Sequence, residues 1–125
     1  MKLTPELMLQ LKYELARREF FYYCHLQAPD FYKKEREYLV HLCDEIQNFY
    51  EDPKQKVLIM NMPPRHGKSR TAQMAVKWIL GKNPVEKVMT GSYNTTLSTT
   101  FAKNVRNDIQ EVKADKNRVV YTDIF

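Results

Sequence analysis

A chain of 125 residues, 43% of them hydrophobic, can form one packed domain and is too short for two. It contains no apolar run of membrane-spanning length and no signal peptide after Met1, so neither a membrane protein nor a secreted protein is expected. The net charge is +5. Residues 62–125 hold eleven basic and five acidic residues, whereas residues 1–61 hold nine and ten. The basic half suits nucleotide or DNA, or equally a solvated surface.

Residues 1–55 are predicted to form a helical lead-in of two helices. Thr4-Pro5-Glu6 opens the first helix with a capping hydroxyl, a proline at the first helical position and an acid in the first turn. The second helix is predicted to start with Asp30 as its cap and to end at Glu51-Asp52-Pro53. Cys24 and Cys43 lie in these helices without metal-ligand spacing, so we expect two buried, reduced thiols and a reducing cytoplasm.

Residues 56–125 are predicted to alternate strand and helix. Lys56 to Met62 forms an apolar strand, a helix follows from Ser69 to Leu80, and Val88 to Ser92 forms a second strand. Thr95 or Thr96 is expected to cap the last helix. The apolar tail from Arg118 to Phe125 is consistent with the start of a further strand. A strand–helix–strand unit of this length implies parallel pairing with a right-handed crossover.

Between the first strand and its helix stands the most informative segment, Met62-Pro-Pro-Arg-His-Gly-Lys-Ser69, called the phosphate loop below. In a strand–loop–helix setting, loop N–H groups and a helix N-terminus converge on a phosphate chain. Lys68 is expected to reach the β- and γ-phosphates, and the Ser69 hydroxyl to bind Mg²⁺. The usual pattern has glycine where Met62 stands, and Arg65 adds a second cation to the loop. The alternative is a chance Gly-Lys-Ser at a helix start.

The phosphate loop resembles the variant phosphate loop of large terminase subunits, the ATPase motors that package DNA into tailed bacteriophages. Ala28 to Lys33 with Arg36 to Leu39 resembles the helical segment of that family, and Gly91-Ser92-Tyr93 resembles the end of its second strand. The resemblance covers nearly the whole chain but only the first part of such a protein. It implies an α/β fold: a helical lead-in followed by the opening βαβα of a P-loop NTPase domain, with a truncated parallel sheet.

The resemblance also implies an activity and a set of site residues. The intact protein would hydrolyse ATP, with Mg²⁺, to drive double-stranded DNA into procapsids. Its partners would be that DNA, the terminase small subunit and the portal protein, in the host cytoplasm and transiently at the procapsid portal. Lys68 and Arg65 would be catalytic, and Arg65 would act in cis on the γ-phosphate transition state. Ser69 would hold the metal, and the cofactor-binding residues would be Pro64, Arg65, His66, Gly67, Lys68, Ser69 and Arg70.

No catalytic acid is visible in the sequence. Hydrolysis needs a strand that ends in Asp for Mg²⁺, usually followed by a water-orienting Glu. Asp44-Glu45 precedes the loop and is predicted to lie on the solvated face of a helix, and Asp123 is followed by Ile124. We therefore expect the 125-residue chain to be inactive alone. We also expect that it can self-associate through a bare strand edge.

The alternative function is a non-catalytic module that binds a nucleotide or a partner. A small nucleotide or metabolite kinase is disfavoured, because acceptor-site motifs are missing.

Overall fold

The described residues of the computed structural model, 4–63, 65–113 and 118–125, form six helices. The first three lie before the phosphate loop, one starts within it and two follow it. They are α1 (Pro5–Arg18), α2 (Phe20–Gln27), α3 (Glu37–Glu51), α4 (Lys68–Lys82), α5 (Thr95–Gln110) and α6 (Tyr121–Ile124). None of the described helices has the length and apolar character needed to cross a membrane.

The predicted α/β fold with its truncated parallel sheet is wrong. The described residues contain no strand, and no backbone hydrogen bond joins residues 56–62 to residues 87–92. The first of these segments keeps a strand-like alternation: Leu58 and Met60 pack against the core, whereas Val57 and Ile59 are 77% and 78% exposed. The physical reason is that two isolated strands are too few for a stable sheet. An apolar run alone therefore does not produce hydrogen-bonded pairing between strands.

The predicted first helix of the lead-in is split at Glu19, so the lead-in contains three helices. Glu19 has an extended backbone, with φ −122° and ψ 122°. The Gln47 side chain compensates for the break: its oxygen accepts the Phe20 N–H at 2.9 Å, and its amide donates to the Arg18 carbonyl at 3.0 Å. A glutamine on α3 therefore satisfies the backbone groups that the interruption frees.

The helix ends agree only partly with the sequence. The prediction for α1 is confirmed, because the Thr4 hydroxyl accepts the Leu7 N–H at 3.2 Å. The Asp30 cap is wrong: residues 28–36 make turns that bury Tyr32, and α3 begins only after Arg36. The cap of α5 is Asn94 rather than a threonine, and its side chain accepts the Leu97 N–H at 2.8 Å.

The core centres on Trp78 of α4, which is fully buried. Its indole N–H donates to the Ala16 carbonyl at 3.0 Å, and its ring contacts Phe20 and Tyr50 at centroid distances of 5.4 and 6.1 Å. One side chain thus ties α4 to α1, α2 and α3, so the hydrophobic core includes residues on both sides of the predicted boundary at residue 55. That domain division itself stays a prediction.

The C-terminal tail, expected to start a further strand, forms the short helix α6 instead. Its apolar residues enter the core, and the Tyr121 hydroxyl donates to the Lys77 carbonyl at 3.2 Å. The Phe125 ring covers Gly81, where an added Cβ would lie 2.5 Å from the ring. The tail therefore packs on the end of α4 opposite to the phosphate loop.

Candidate phosphate-binding site

The phosphate loop leads directly into α4, with Lys68 and Ser69 as the first two residues of the helix. Gly67 is the N-cap and has a left-handed backbone, with φ 84° and ψ 17°. No side chain caps this helix, in contrast to α1 and α5, which Thr4 and Asn94 cap. The first N–H groups of a helix have no intrahelical acceptor, so α4 presents uncapped donors and the positive end of its dipole.

Arg65 also has a positive φ, 64°, and is the only non-glycine residue with one in the described part of the chain. A side chain in the left-handed region costs about 1–2 kcal/mol, which the surrounding structure must supply. Two left-handed residues, Arg65 and Gly67, stand two positions apart immediately before α4. The loop consequently turns sharply into the helix.

Four cations surround this turn: Arg65, Lys68 and Arg70 from the loop and α4, and Arg36 from the lead-in. Each lacks an ion pair with any carboxylate in the described residues. Arg36 and Arg70 instead lie over the Phe31 ring, each with its guanidinium carbon 5.1 Å from the ring centroid. The site therefore carries uncompensated positive charge, which attracts an anion.

Two cavities flank the start of α4. One, of about 440 Å³, is lined by Met62, Pro63, Arg65, Gly67, Lys68, Ser69 and Arg70. The other, of about 460 Å³, lies between α4 and α5 and includes Ser69, Thr90, Gly91 and Ser92 in its wall. Ser69 borders both cavities, and its hydroxyl has no hydrogen-bond partner among the described residues. The hydroxyl is therefore available to a ligand.

The remaining predicted cofactor-binding residues have different surroundings. His66 is exposed, and its ring meets Tyr38 of α3 edge to face, at a centroid distance of 5.7 Å. Pro64 lies outside the described residues. The structure thus brings Arg65, Gly67, Lys68, Ser69 and Arg70 around one cavity, whereas His66 turns toward α3.

Phe31 and Arg36 also contribute to this site, which their sequence context does not predict. Both belong to the turns between α2 and α3, more than thirty residues before α4. An added Cβ at Gly67 would lie 2.5 Å from Cζ of Phe31, so the ring tip rests against the Gly67 backbone. Aromatic and basic residues in a predicted turn give no local signal of such a contact, and only the packing of the lead-in on α4 reveals it.

The acidic residues considered from the sequence have other environments. Asp44 and Glu45 are exposed on α3, as predicted. Asp123 lies on α6, where its carboxylate pairs with Lys113 at 2.9 Å and accepts the Val120 N–H at 3.1 Å. Burial would raise the pKa of Asp123, but these two hydrogen bonds outweigh it and lower the pKa below its usual value. Asp123 therefore caps the start of α6 and pairs with Lys113.

The two cysteines are buried, as predicted. Neither Cys24 nor Cys43 has an exposed surface, and burial together with the neighbouring Cys43 thiol raises the pKa of Cys24 well above its usual value. A thiol kept protonated is a poor nucleophile and a poor metal ligand. Both cysteine side chains belong to the hydrophobic core.

The described residues of the site offer cations and helix N–H donors, which suit an anion. No group of three carboxylate, histidine or cysteine side chains comes together anywhere in the described ranges. Hard cations such as Mg²⁺ take oxygen ligands, usually a few from the protein and the rest from phosphates and water. Ser69 would supply one such oxygen.

Comparison with protein-family models, with curated proteins and with solved structures found no match for this chain.

Proposed function

We propose that this chain is the ATP-binding N-terminal portion of a bacteriophage terminase large subunit, whose intact form hydrolyses ATP to move double-stranded DNA into procapsids. The proposal combines the resemblance of the phosphate loop with the geometry of the candidate site. The small subunit, the portal protein and a location in the host cytoplasm follow from the same resemblance and belong to the proposal.

The observation that carries the proposal is the uncapped N-terminus of α4 behind a left-handed Gly67, surrounded by cations without carboxylate partners. Uncapped N–H groups and a helix dipole stabilise a phosphate at that position, typically by 0.3–1 kcal/mol for the dipole alone. A further positive charge comes from Lys68, which is exposed and has no hydrogen-bond partner in the described part of the chain. These features favour a polyphosphate over a neutral ligand.

Each residue of the site has a definite role in the proposal. The N–H groups of Gly67, Lys68 and Ser69 donate to phosphate oxygens, and the Lys68 ammonium pairs with the β- and γ-phosphates. The Ser69 hydroxyl binds Mg²⁺, which when bound neutralises charge that develops on the phosphates. Arg65 stabilises negative charge at the γ-phosphate during transfer.

Calorimetric titration of the chain with Mg²⁺-ATP tests the proposal. Lys68→Ala should weaken ATP binding by roughly tenfold or more, because a hydrogen bond to a charged group contributes about 1.5–3 kcal/mol. Lys103→Ala is the matched control: Lys103 is an exposed lysine on α5 and makes no hydrogen bond or ion pair with the described residues. Equal affinities of the wild type and the Lys68 variant would contradict the proposal.

A second candidate, a non-catalytic module that binds a nucleotide or a partner, is favoured by one observation. The acids that the sequence offered for catalysis are solvent-exposed on α3 or engaged with Lys113. For the isolated chain, both candidates predict no multiple-turnover release of phosphate from ATP, with or without DNA. Steady release that Lys68→Ala abolishes would mean that the chain contains a catalytic acid, with Asp123 the first to replace.

A further inference from the structure

Phe31 is half-buried in the turns between α2 and α3 and contacts the phosphate loop at its most constrained point. The ring atoms Cζ and Cε1 lie 2.5 and 2.6 Å from the position that a Cβ on Gly67 would occupy. Real Cβ atoms do not tolerate such distances, so the ring occupies the space that any other residue at position 67 would need. The Phe31 ring of the lead-in therefore fits against position 67 only because glycine has no side chain there.

The same ring meets two cations of the site. The guanidinium carbons of Arg36 and Arg70 both lie 5.1 Å from its centroid, so the two groups are no farther apart than twice that distance. A guanidinium within about 6 Å of an aromatic centroid is attracted to the ring, by roughly 0.5–1 kcal/mol at exposed sites. Phe31 thus holds two arginines beside the phosphate loop, although like charges repel each other.

The residue after Phe31 anchors this arrangement to α4. Tyr32 is fully buried, and its hydroxyl lies 3.0 Å from the Thr71 hydroxyl, in a hydrogen bond that joins the turn to the first turn of the helix. The Phe31 and Tyr32 rings contact each other edge to face, at 5.0 Å. The position of Phe31 relative to Gly67 is therefore fixed by a buried contact and does not depend on the exposed loop.

We infer that Phe31 is a positioning residue for nucleotide binding: its ring holds Gly67 in the left-handed conformation and keeps Arg36 and Arg70 beside the phosphates. The inference rests on the proposed function. It assigns to the lead-in a role in forming the phosphate site, through a contact more than thirty residues away in sequence. In this role Phe31 acts through Gly67 and the two arginines.

The test measures Mg²⁺-ATP affinity by calorimetry for Phe31→Leu, which keeps an apolar side chain but removes the ring. Affinity should fall by about fivefold or more, the effect of losing one coupled contact. Tyr22→Leu is the matched control, because Tyr22 lies under the Lys34 ammonium at 5.3 Å and makes the same kind of contact away from the loop. Its affinity should stay within about twofold of wild type. Phe31→Met, with a flexible side chain, is measured in parallel in case one variant does not fold.

A double-mutant cycle with Gly67→Ala separates positioning from simple stability. If Phe31 acts through Gly67, its replacement should cost less than about twofold in affinity once Gly67→Ala is present, because the effects of coupled residues are not additive. Additive losses, or equal losses for Phe31→Leu and Tyr22→Leu, would overturn the inference. The inference would also be overturned if Phe31→Leu bound ATP with wild-type affinity while Lys68→Ala bound it more weakly. That result would leave the proposed function intact. No ATP binding by the wild type would overturn both.

Discussion

At the scale of single residues, the phosphate loop combines backbone strain with unpaired charge. Arg65 keeps a left-handed backbone although it is not glycine, and its side chain has no ion pair in the described residues. Sparsely populated conformations of this kind persist only where the surrounding structure holds them, and they cluster at functional sites. Asparagine accepts the left-handed region more readily than other residues, so Arg65→Asn removes the charge and keeps the turn.

In the intact ATPase of the proposed function, Arg65→Asn should lower kcat by more than about tenfold, because charge that develops at the γ-phosphate loses a cation. ATP affinity should change by less than about threefold, since the proposed contact of Arg65 is with charge that develops during transfer and not with the ground-state phosphates. Steady-state kinetics and calorimetry give the two quantities separately. Equal losses in kcat and affinity would make Arg65 a ground-state phosphate ligand, and no loss in either would make it a surface residue.

At the scale of elements, α4 is the helix on which the site depends, and buried contacts along its length hold it. Trp78 ties it to the lead-in, and Lys77 ties it to α5 through an ion pair with Asp108 at 2.9 Å. Lys77 is 2% exposed, so its ammonium depends on this carboxylate for compensation. The phosphate loop can remain exposed because the rest of α4 is firmly packed.

Asp108→Asn should lower the free energy of unfolding by about 1–3 kcal/mol, because it leaves a buried ammonium without a counter-charge. Asp108 is itself partly exposed, which keeps the effect in that lower range. Urea unfolding followed by the fluorescence of Trp78, the single tryptophan, measures it. Asp44→Asn, which removes an exposed carboxylate of α3, is the control and should change the free energy by less than about 0.5 kcal/mol. An equal effect of both substitutions would mean that the Lys77–Asp108 pair does not stabilise the fold.

The same elements show how far the sequence could predict this structure. Local signals were sufficient for the start of α1, where Thr4 caps the helix, and for the end of α3 near Asp52. The strands failed because a strand exists only with a partner, and nothing local to residues 56–62 or 87–92 decides whether they pair. The apolar tail was taken for a strand because a short apolar run fits either a strand or a buried helix.

The candidate site divides in a similar way. A continuous motif could be located from the sequence, since Lys68 and Ser69 start a helix that its own apolar pattern predicts. The contact of Phe31 with Gly67 could not, because it arises only when the lead-in packs on α4. A site made of residues adjacent in sequence can be predicted from the sequence. Contacts that only tertiary packing brings together cannot.

At the scale of the whole molecule, the chain leaves many large apolar side chains exposed. They belong to α1 and to the segments before and after α4: Leu7, Met8, Leu9, Leu11, Leu15, Val57, Ile59, Val85, Val88 and Met89. A large amount of exposed apolar surface on a small protein favours association. Self-association, expected from the sequence through a strand edge, thus remains a prediction, now based on these exposed side chains.

Sedimentation velocity over a wide concentration range tests this prediction. The wild-type chain should show a sedimentation coefficient that rises with concentration, because association removes apolar surface from water. Replacing Leu11 and Ile59, which are 51% and 78% exposed, with glutamate should shift the chain toward the monomer. Lys103→Gln should leave the distribution unchanged. A compact wild-type monomer at every concentration would contradict the prediction.

The central claim is that the N-terminus of α4 binds a phosphate chain through its backbone N–H groups. Backbone amide resonances of the isotope-labelled chain, recorded by NMR during titration with Mg²⁺-ATP, test it most directly. Saturable shifts that are largest at Gly67, Lys68 and Ser69 are expected, and in Lys68→Ala the shifts at Gly67 and Ser69 should need roughly tenfold more Mg²⁺-ATP or more. If the resonances of these three residues do not shift during the titration, the claim is contradicted, whether or not Mg²⁺-ATP perturbs other parts of the chain.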